Sequence, residues 1–331
     1  MESISTDAKA TLLLVSQLRQ KANGNAKILS PTEFDALMTW MVSQNISLSD
    51  LFGAEKIESE LDGYPEKERI VSLMSRRFSL SVALESWSSQ SISALCVKDS
   101  LYPAKWTEKL KRVPPIVFFA GNLELVKKGE VAIVGSRNIE ESSEDFTRKL
   151  GKTCAAVGVQ VVSGGAKGVD QISLTSCLEN GGTAIAVLAD SLSKATLSPA
   201  YREYLRNGSL LLLSPYDPEA HFMVGNAMAR NKLIYSLSDI AVVVSSEAKT
   251  GGTWAGATEN LKNGWARLYV RSSINLVPGN KELLALGGKP MEETDADNED
   301  ILKTICKQCE PNTCAAAETK QLDGQQTLPL F

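Results

Sequence analysis

The stretch Val161-Val162-Ser163-Gly164-Gly165-Ala166-Lys167-Gly168-Val169-Asp170 decides how the chain folds. A β-branched run ends at Ser163, three glycines fall in the next five residues, and Val169 opens a helix-length segment. Glycine adopts backbone angles that other residues avoid, so this pattern reads as a buried strand turning sharply into a helix. The first N–H groups of a helix have no acceptor within it and carry partial positive charge, which makes such a turn a place for an anion.

Outward from this stretch the same grammar repeats. Apolar runs at 131–134, 159–162, 184–188, 210–213, 240–244 and 268–270 are continuous, as expected of strands buried on both faces. Amphipathic segments such as 143–157 and 169–180 lie between them. Alternation of this kind predicts an α/β domain over 96–290: a Rossmann-like parallel sheet with helices on both faces. Residues 1–95 read as a small helical domain, with a helix start at Ser30-Pro31-Thr32-Glu33 and a further helix over 66–78. Residues 291–331 read as an acidic linker over 291–300, a short helix and a mostly disordered tail.

Two more glycine turns follow predicted strands. Gly135-Ser136-Arg137 closes the run at 131–134, with a tight turn, a hydroxyl and a planar cation suited to bidentate phosphate contact. Thr250-Gly251-Gly252-Thr253 follows the run at 240–244 and precedes a helix, with hydroxyls on either side of the glycines. In an open parallel sheet all three turns meet at the carboxyl edge of the strands, where ligands bind. Phosphate-binding residues are therefore expected among Gly135, Ser136, Arg137, Ser163, Gly164, Gly165, Lys167, Gly168, Thr250, Gly251, Gly252 and Thr253. Arg230, Asn231 and Lys232, on the helix before the fifth run, join them, with one cation snorkelling and the other aimed at the ligand edge, against the plainer reading of a solvated basic turn. The central glycine loop is neither Gly-x-Gly-x-x-Gly nor a P-loop ending in Gly-Lys-Ser/Thr, so neither a dinucleotide fingerprint nor ATPase chemistry is predicted.

Charge narrows the partner class. The 331 residues carry a net charge of −4, against the basic excess of a generic duplex binder. Residues 96–290 hold 23 Lys and Arg against 18 Asp and Glu, so the middle attracts a polyanion that the ends repel. No apolar run reaches the roughly 20 residues of a membrane span, and charged residues interrupt the first 20. A cytoplasmic protein with free thiols, no membrane association and no cofactor is expected. With a single histidine, His221, no His–Asp pair activates a nucleophile, and no catalytic residue is assigned. Cys306, Cys309 and Cys314 have metal-like spacing but lack a fourth ligand, so no metal site is expected.

Several further stretches, taken in order with these loops, resemble the DprA/Smf family of DNA-processing proteins. They are Leu101-Tyr102-Pro103, Val113-Pro114-Pro115-Ile116-Val117-Phe118-Phe119-Ala120-Gly121, Gly181-Gly182-Thr183-Ala184-Ile185-Ala186-Val187-Leu188, Ala229-Arg230-Asn231-Lys232-Leu233-Ile234 and a segment at 279–288. The resemblance covers about residues 95–290. It implies binding of single-stranded DNA through a positively charged pocket made by Arg137, the 163–170 loop, Arg230 and Lys232. It also implies loading of a recombinase of the RecA type, and it leaves a homodimer open. Departures are visible. Lys232 stands where the family has a second arginine, Ala189-Asp190-Ser191 replaces a glycine-rich turn, and Thr250–Thr253 resembles a related nucleotide-binding group that includes phosphoribohydrolases. Glu247 lies near that last loop.

The chain ends Gln325-Gln326-Thr327-Leu328-Pro329-Leu330-Phe331, which resembles a bacterial sliding-clamp-binding motif carried by Gln325, Leu328, Leu330 and Phe331. An extended tail of this kind would place Leu and Phe in an apolar pocket while Gln hydrogen-bonds at its rim. Two alternatives to a DNA-binding protein stay open: a nucleotide-derived ligand sensor or nucleotide hydrolase in the same pocket, as in phage defence, and a scaffold that kept the fold without the ligand.

Overall fold

The computed structural model describes residues 4–18, 26–53, 57–128, 130–274 and 276–307. Six helices come first: α1 (Thr6–Val15), α2 (Pro31–Ser43), α3 (Leu48–Gly53), α4 (Ile57–Glu60), α5 (Lys67–Met74) and α6 (Arg77–Ser89). The start of α2 is a full capping box: Ser30 Oγ accepts from Glu33 N, and Glu33 accepts from Ser30 N at 2.7 Å. The helix expected over 66–78 is two helices, broken at Ser75 and Arg76. Arg76 turns inward there and donates to the carbonyls of Leu13 and Ser16, placing a cation at the negative end of α1.

Among the described residues nine strands form one sheet: β1 (Ser93–Cys96), β2 (Ile116–Gly121), β3 (Glu130–Val134), β4 (Gln160–Ser163), β5 (Ala184–Val187), β6 (Leu210–Ser214), β7 (Ile240–Val243), β8 (Arg267–Ser272) and β9 (Lys289–Glu292). Their order across the sheet is β1-β2-β6-β5-β4-β3-β7-β8-β9. Every apolar run read from the sequence is one of β3–β8, and these pair in parallel. The expected parallel sheet runs from β6 to β9, and at its edge β2 pairs antiparallel with both β1 and β6. The sheet is Rossmann-like and mostly parallel. The boundary expected between residues 95 and 96 falls inside β1.

Helices α7 (Ala104–Lys109), α8 (Glu141–Val157), α9 (Val169–Glu179), α10 (Leu192–Leu197), α11 (Pro199–Arg206), α12 (Val224–Leu237), α13 (Gly251–Asn263), α14 (Pro278–Ala285) and α15 (Glu299–Lys307) complete the order. Successive strand residues point to opposite faces, and two cores result. Val131, Ile133 and Val161 pack with Phe146 and Leu150 of α8 and Leu174 of α9. Ala132, Val134 and Val162 pack with Leu233, Ile234 and Leu237 of α12 and Ala257 of α13. The core of the first six helices is continuous with the first of these faces, through residues such as Leu12, Leu14 and Phe118. Each Val, Leu or Ile fully removed from water in either core contributes roughly 1.5–3 kcal/mol before entropy is counted.

Residues 291–300, expected to be a linker, are part of the fold. Met291 in β9 and Ala296 in the following turn are buried, as is Leu302 of α15, and Thr153 Oγ1 of α8 donates to Ala296 O at 2.8 Å. The acidic composition conceals apolar side chains spaced to reach one core. Among the described residues, no helix is long and apolar enough to cross a membrane.

Candidate functional site

From β3 the chain steps through β4 and β5 to β6 in one direction, then returns to place β7 on the other flank of β3. The loops leaving β3 and β7 therefore diverge, and a crevice opens between them at the carboxyl edge of the sheet, the usual place for a ligand in a doubly wound fold. A cavity of about 520 Å³ occupies it. Its wall includes Gly135, Ser136, Arg137 and Asn138 after β3, Ala166 and Asp170 around the start of α9, and Phe222, Val224, Met228, Arg230 and Asn231 on or before α12. Ser246, Glu247, Thr250, Gly251, Gly252 and Thr253 close it from the β7 side.

The structure thus brings nine of the expected residues to one cavity: Gly135, Ser136, Arg137, Arg230, Asn231 and Thr250 to Thr253. Ser163, Gly164, Gly165, Lys167, Gly168 and Lys232 do not line it. Ser163 is buried with Oγ donating to Ile133 O at 2.6 Å. Lys167 is exposed and Lys232 half-buried. The residues Gln325, Leu328, Leu330 and Phe331 lie outside the described residues, as do Cys309 and Cys314.

The glycine-rich loop does its work inward. Asp170, in the first turn of α9, is buried beneath it. Burial pushes the Asp170 carboxyl above its ordinary value, against the opposing pull of the Arg230 guanidinium, the Ser163 hydroxyl and the amides of Ala166 and Gly164. The anion cradled by this loop is the chain's own carboxylate. Gly168 lets the loop close on its neighbour, since a β-carbon there would stand 2.5 Å from Ser136 O and 2.6 Å from Arg137 O, at φ +83°.

Arg230, expected near the ligand edge, is only 5% exposed. Its Nη1 donates to Val187 O at 2.5 Å, and its Nε has no hydrogen-bond partner among the described residues. Burial pulls the guanidinium down from its ordinary range, partly offset by Asp170. Asn231 Nδ2 donates to Gly252 O at 3.0 Å and so ties α12 to the start of α13.

Two features still face solvent as an anion would require. Thr250 precedes α13 with no side-chain cap, leaving the first-turn N–H groups of that helix at the cavity wall. Arg137 is exposed and makes no ion pair or hydrogen bond among the described residues; its guanidinium lies 4.8 Å from the centroid of the Phe222 ring. Phe222 has no place in the sequence reading, although His221-Phe222-Met223-Val224 is an apolar run in a polar loop. Glu247, exposed at the rim, adds a carboxylate. Asp190, which would repel a phosphate, is exposed and outside the cavity wall. No group of His, Cys, Asp or Glu among the described residues is arranged to hold a metal ion.

A mostly parallel, doubly wound sheet, with a cation, an uncapped helix and a glycine turn at its switch point, defines an α/β protein of the Rossmann-like class. Comparison with known proteins makes this specific: residues 93–304 match the model of the family described as DNA recombination-mediator protein A, and the chain belongs to that family. It is 30% identical over 180 residues to the DNA processing protein DprA of Streptococcus pneumoniae, a match covering 54% of this chain and 63% of that protein. It is 25% identical over 259 residues to the Bacillus subtilis DprA, covering 74% and 79% of the two chains. The chain thus spans less than two thirds of the pneumococcal relative's length in that match. The solved pneumococcal DprA shares the fold at a TM-score of 0.66 with 21% identity, over 89% of this chain and 97% of that one. DprA from Helicobacter pylori, solved in a description of its single-stranded DNA binding mode, superposes at 0.54 with 26% identity over 66% and 96% of the chains.

Proposed function

We propose that this chain binds single-stranded DNA by its sugar–phosphate backbone, laid across the switch-point cavity. The observation that carries the reading is Arg137: an exposed arginine, uncommitted to any carboxylate among the described residues, at the mouth of a cavity that an uncapped helix also faces. Arginine and backbone N–H groups contact phosphate and carry no base identity, which suits a strand binder without sequence preference. The family, and the binding mode named for the Helicobacter pylori relative, point the same way. Loading of a recombinase of the RecA type and docking on a sliding clamp extend this reading. The family supports the first, and the residues Gln325, Leu328, Leu330 and Phe331 support the second.

A second reading, a nucleotide-derived ligand held in the cavity, is favoured by two observations: the Glu247 carboxylate on its rim and a volume of about 520 Å³, which suits one small molecule. Competition separates the two. A labelled oligonucleotide titrated by fluorescence polarisation should bind and resist millimolar mononucleotide. A mononucleotide that raises the melting temperature while the oligonucleotide fails to bind would replace the first reading with the second.

A further inference from the structure

A second cavity, of about 650 Å³, lies where Gly121 ends β2 beside Leu211 at the start of β6. This is the amino edge of the parallel strands, away from the switch-point crevice. Its apolar lining comes from the margins of both cores: Leu101 and Phe119 pack on one and Leu205 on the other, and each stays only half-buried. Leu101 and Phe119, with Ser93, also line a smaller cavity of about 120 Å³ beside the edge strand β1. These shared residues make the two hollows one groove, running from α11 across Phe119 to β1.

The charges along the groove are sorted. Arg202 and Arg206, one helical turn apart on α11, both line the larger hollow and are exposed. Neither makes an ion pair among the described residues; Arg202 Nη2 donates to Leu197 O at 3.4 Å. The carboxylate in the same wall, Glu124, is held by Lys127 Nζ at 2.7 Å. At the far end Asp99 accepts from Cys96 N at 2.7 Å, a contact that blunts the open edge of β1.

We infer that this groove docks an acidic segment of a partner protein that also carries leucine or phenylalanine. Its carboxylates meet Arg202 and Arg206, and its apolar side chains cover Leu101, Phe119 and Leu205. Charge complementarity names the occupant. Two guanidinium groups without an opposing acid, each shaped to take a carboxylate through two N–H groups, ask for acids. The apolar floor beside them asks for side chains that a phosphate does not bring. A nucleic-acid strand needs cations along its path, whereas the charged residue lining the smaller hollow is the acid Asp99. A small amphiphilic anion would fill the larger hollow and leave the smaller one open, while an extended peptide spans both. The inference uses no part of the strand reading or of its cavity, so the two are independent.

The experiment selects displayed random peptides on wild-type protein and then measures the most enriched one by fluorescence polarisation. Enriched sequences should join Asp or Glu to Leu or Phe. Wild type should bind that peptide on the order of tenfold more tightly than the double variant Arg202→Glu/Arg206→Glu. A counterpart peptide with Lys in place of its acids should reverse the preference. Both arginines are exposed, so the two proteins should melt at the same temperature. A peptide that binds both proteins equally, or a selection without acidic sequences, overturns the inference. Crosslinking of an oligonucleotide to residues 202–206 would give the groove to nucleic acid instead. A wild-type dimer that the double variant dissociates, seen by light scattering, would give it to a second copy of the chain.

Discussion

Asp170 and Arg230 close on Gly164 from opposite faces of the sheet: a β-carbon placed on that glycine would stand 1.9 Å from Arg230 Nη1 and 2.5 Å from Asp170 Oδ2. Asp170 comes from α9 and Arg230 from α12, so the charges meet at the end of β4 and hold the loop between them. A buried charge left without its opposite costs about 3–5 kcal/mol. Arg230→Met should therefore lower the unfolding free energy measured by urea denaturation by that much, with a DNA defect that follows unfolding. A variant that is fully stable but cannot bind the strand would instead make Arg230 a direct phosphate ligand.

Asp170 and Glu33, two of the carboxylates with clear shifts, predict opposite pH dependence. Burial raises the Asp170 carboxyl from its ordinary 3.8, so the folded state binds its proton more tightly than the unfolded state. The stability tied to that proton is present below 3.8 and lost as pH rises through the folded value. Asp170→Asn should gain stability relative to wild type as pH rises from about 4 towards neutrality. A difference that is flat with pH in chemical denaturation would refute the burial argument.

Glu33 behaves in the reverse sense. Its hydrogen bond from Arg69, then those from Ser30, lower the carboxyl from 4.5 to about 2. Its contribution is present above 4.5 and disappears as pH falls through about 2. The stability gap between wild type and Glu33→Gln should be constant near neutrality and shrink on acidification. A gap that widens in acid would contradict the assignment.

Gly168 and Gly225 form a contrast. At Gly168 a methyl group would meet the carbonyls of Ser136 and Arg137 at positive φ, whereas at Gly225, in the first turn of α12, it meets nothing within 4 Å. Gly168→Ala should destabilise by at least about 1–3 kcal/mol, and Gly225→Ala should be neutral or stabilise by up to about 1 kcal/mol. Thermal melts of the two variants check this; equal melting temperatures would mean the loops do not pack as described.

Arg137→Ala should leave the melting temperature unchanged, because the side chain is exposed. It should weaken binding of every oligonucleotide sequence alike and reduce the slope of log affinity against log salt by about 1. An unaltered slope would remove Arg137 from the phosphate path.

The strands legible in the sequence are those buried on both faces, where the apolar run is uninterrupted. β9 was hidden because it is an edge strand with a single buried residue, Met291, and carries Pro290. β1 was hidden because Ser93-Ala94-Leu95-Cys96 holds no β-branched residue and a single large aliphatic one. At the site, the glycine turns declared themselves through composition, but their direction did not. A sequence shows that Gly164 and Gly165 precede a helix; it does not show that Asp170 of that helix folds back beneath them. Arg230 carried an unused signal: Leu233, Ile234 and Leu237 follow it at helical spacing, which puts it on the buried face of α12. Phe222 escaped because an aromatic residue in a polar loop reads as incidental until its neighbours are known.

The most direct test of the cavity is to map where the strand lies. A single-stranded oligonucleotide carrying photoreactive 4-thiothymidine, crosslinked to the wild-type protein and located by peptide mass spectrometry, should attach to segments 135–138, 222–231 and 247–253. Crosslinks concentrated at the other end of the sheet, in the cavity of about 650 Å³ lined by Gln90, Asn122 and Arg206, would contradict the account.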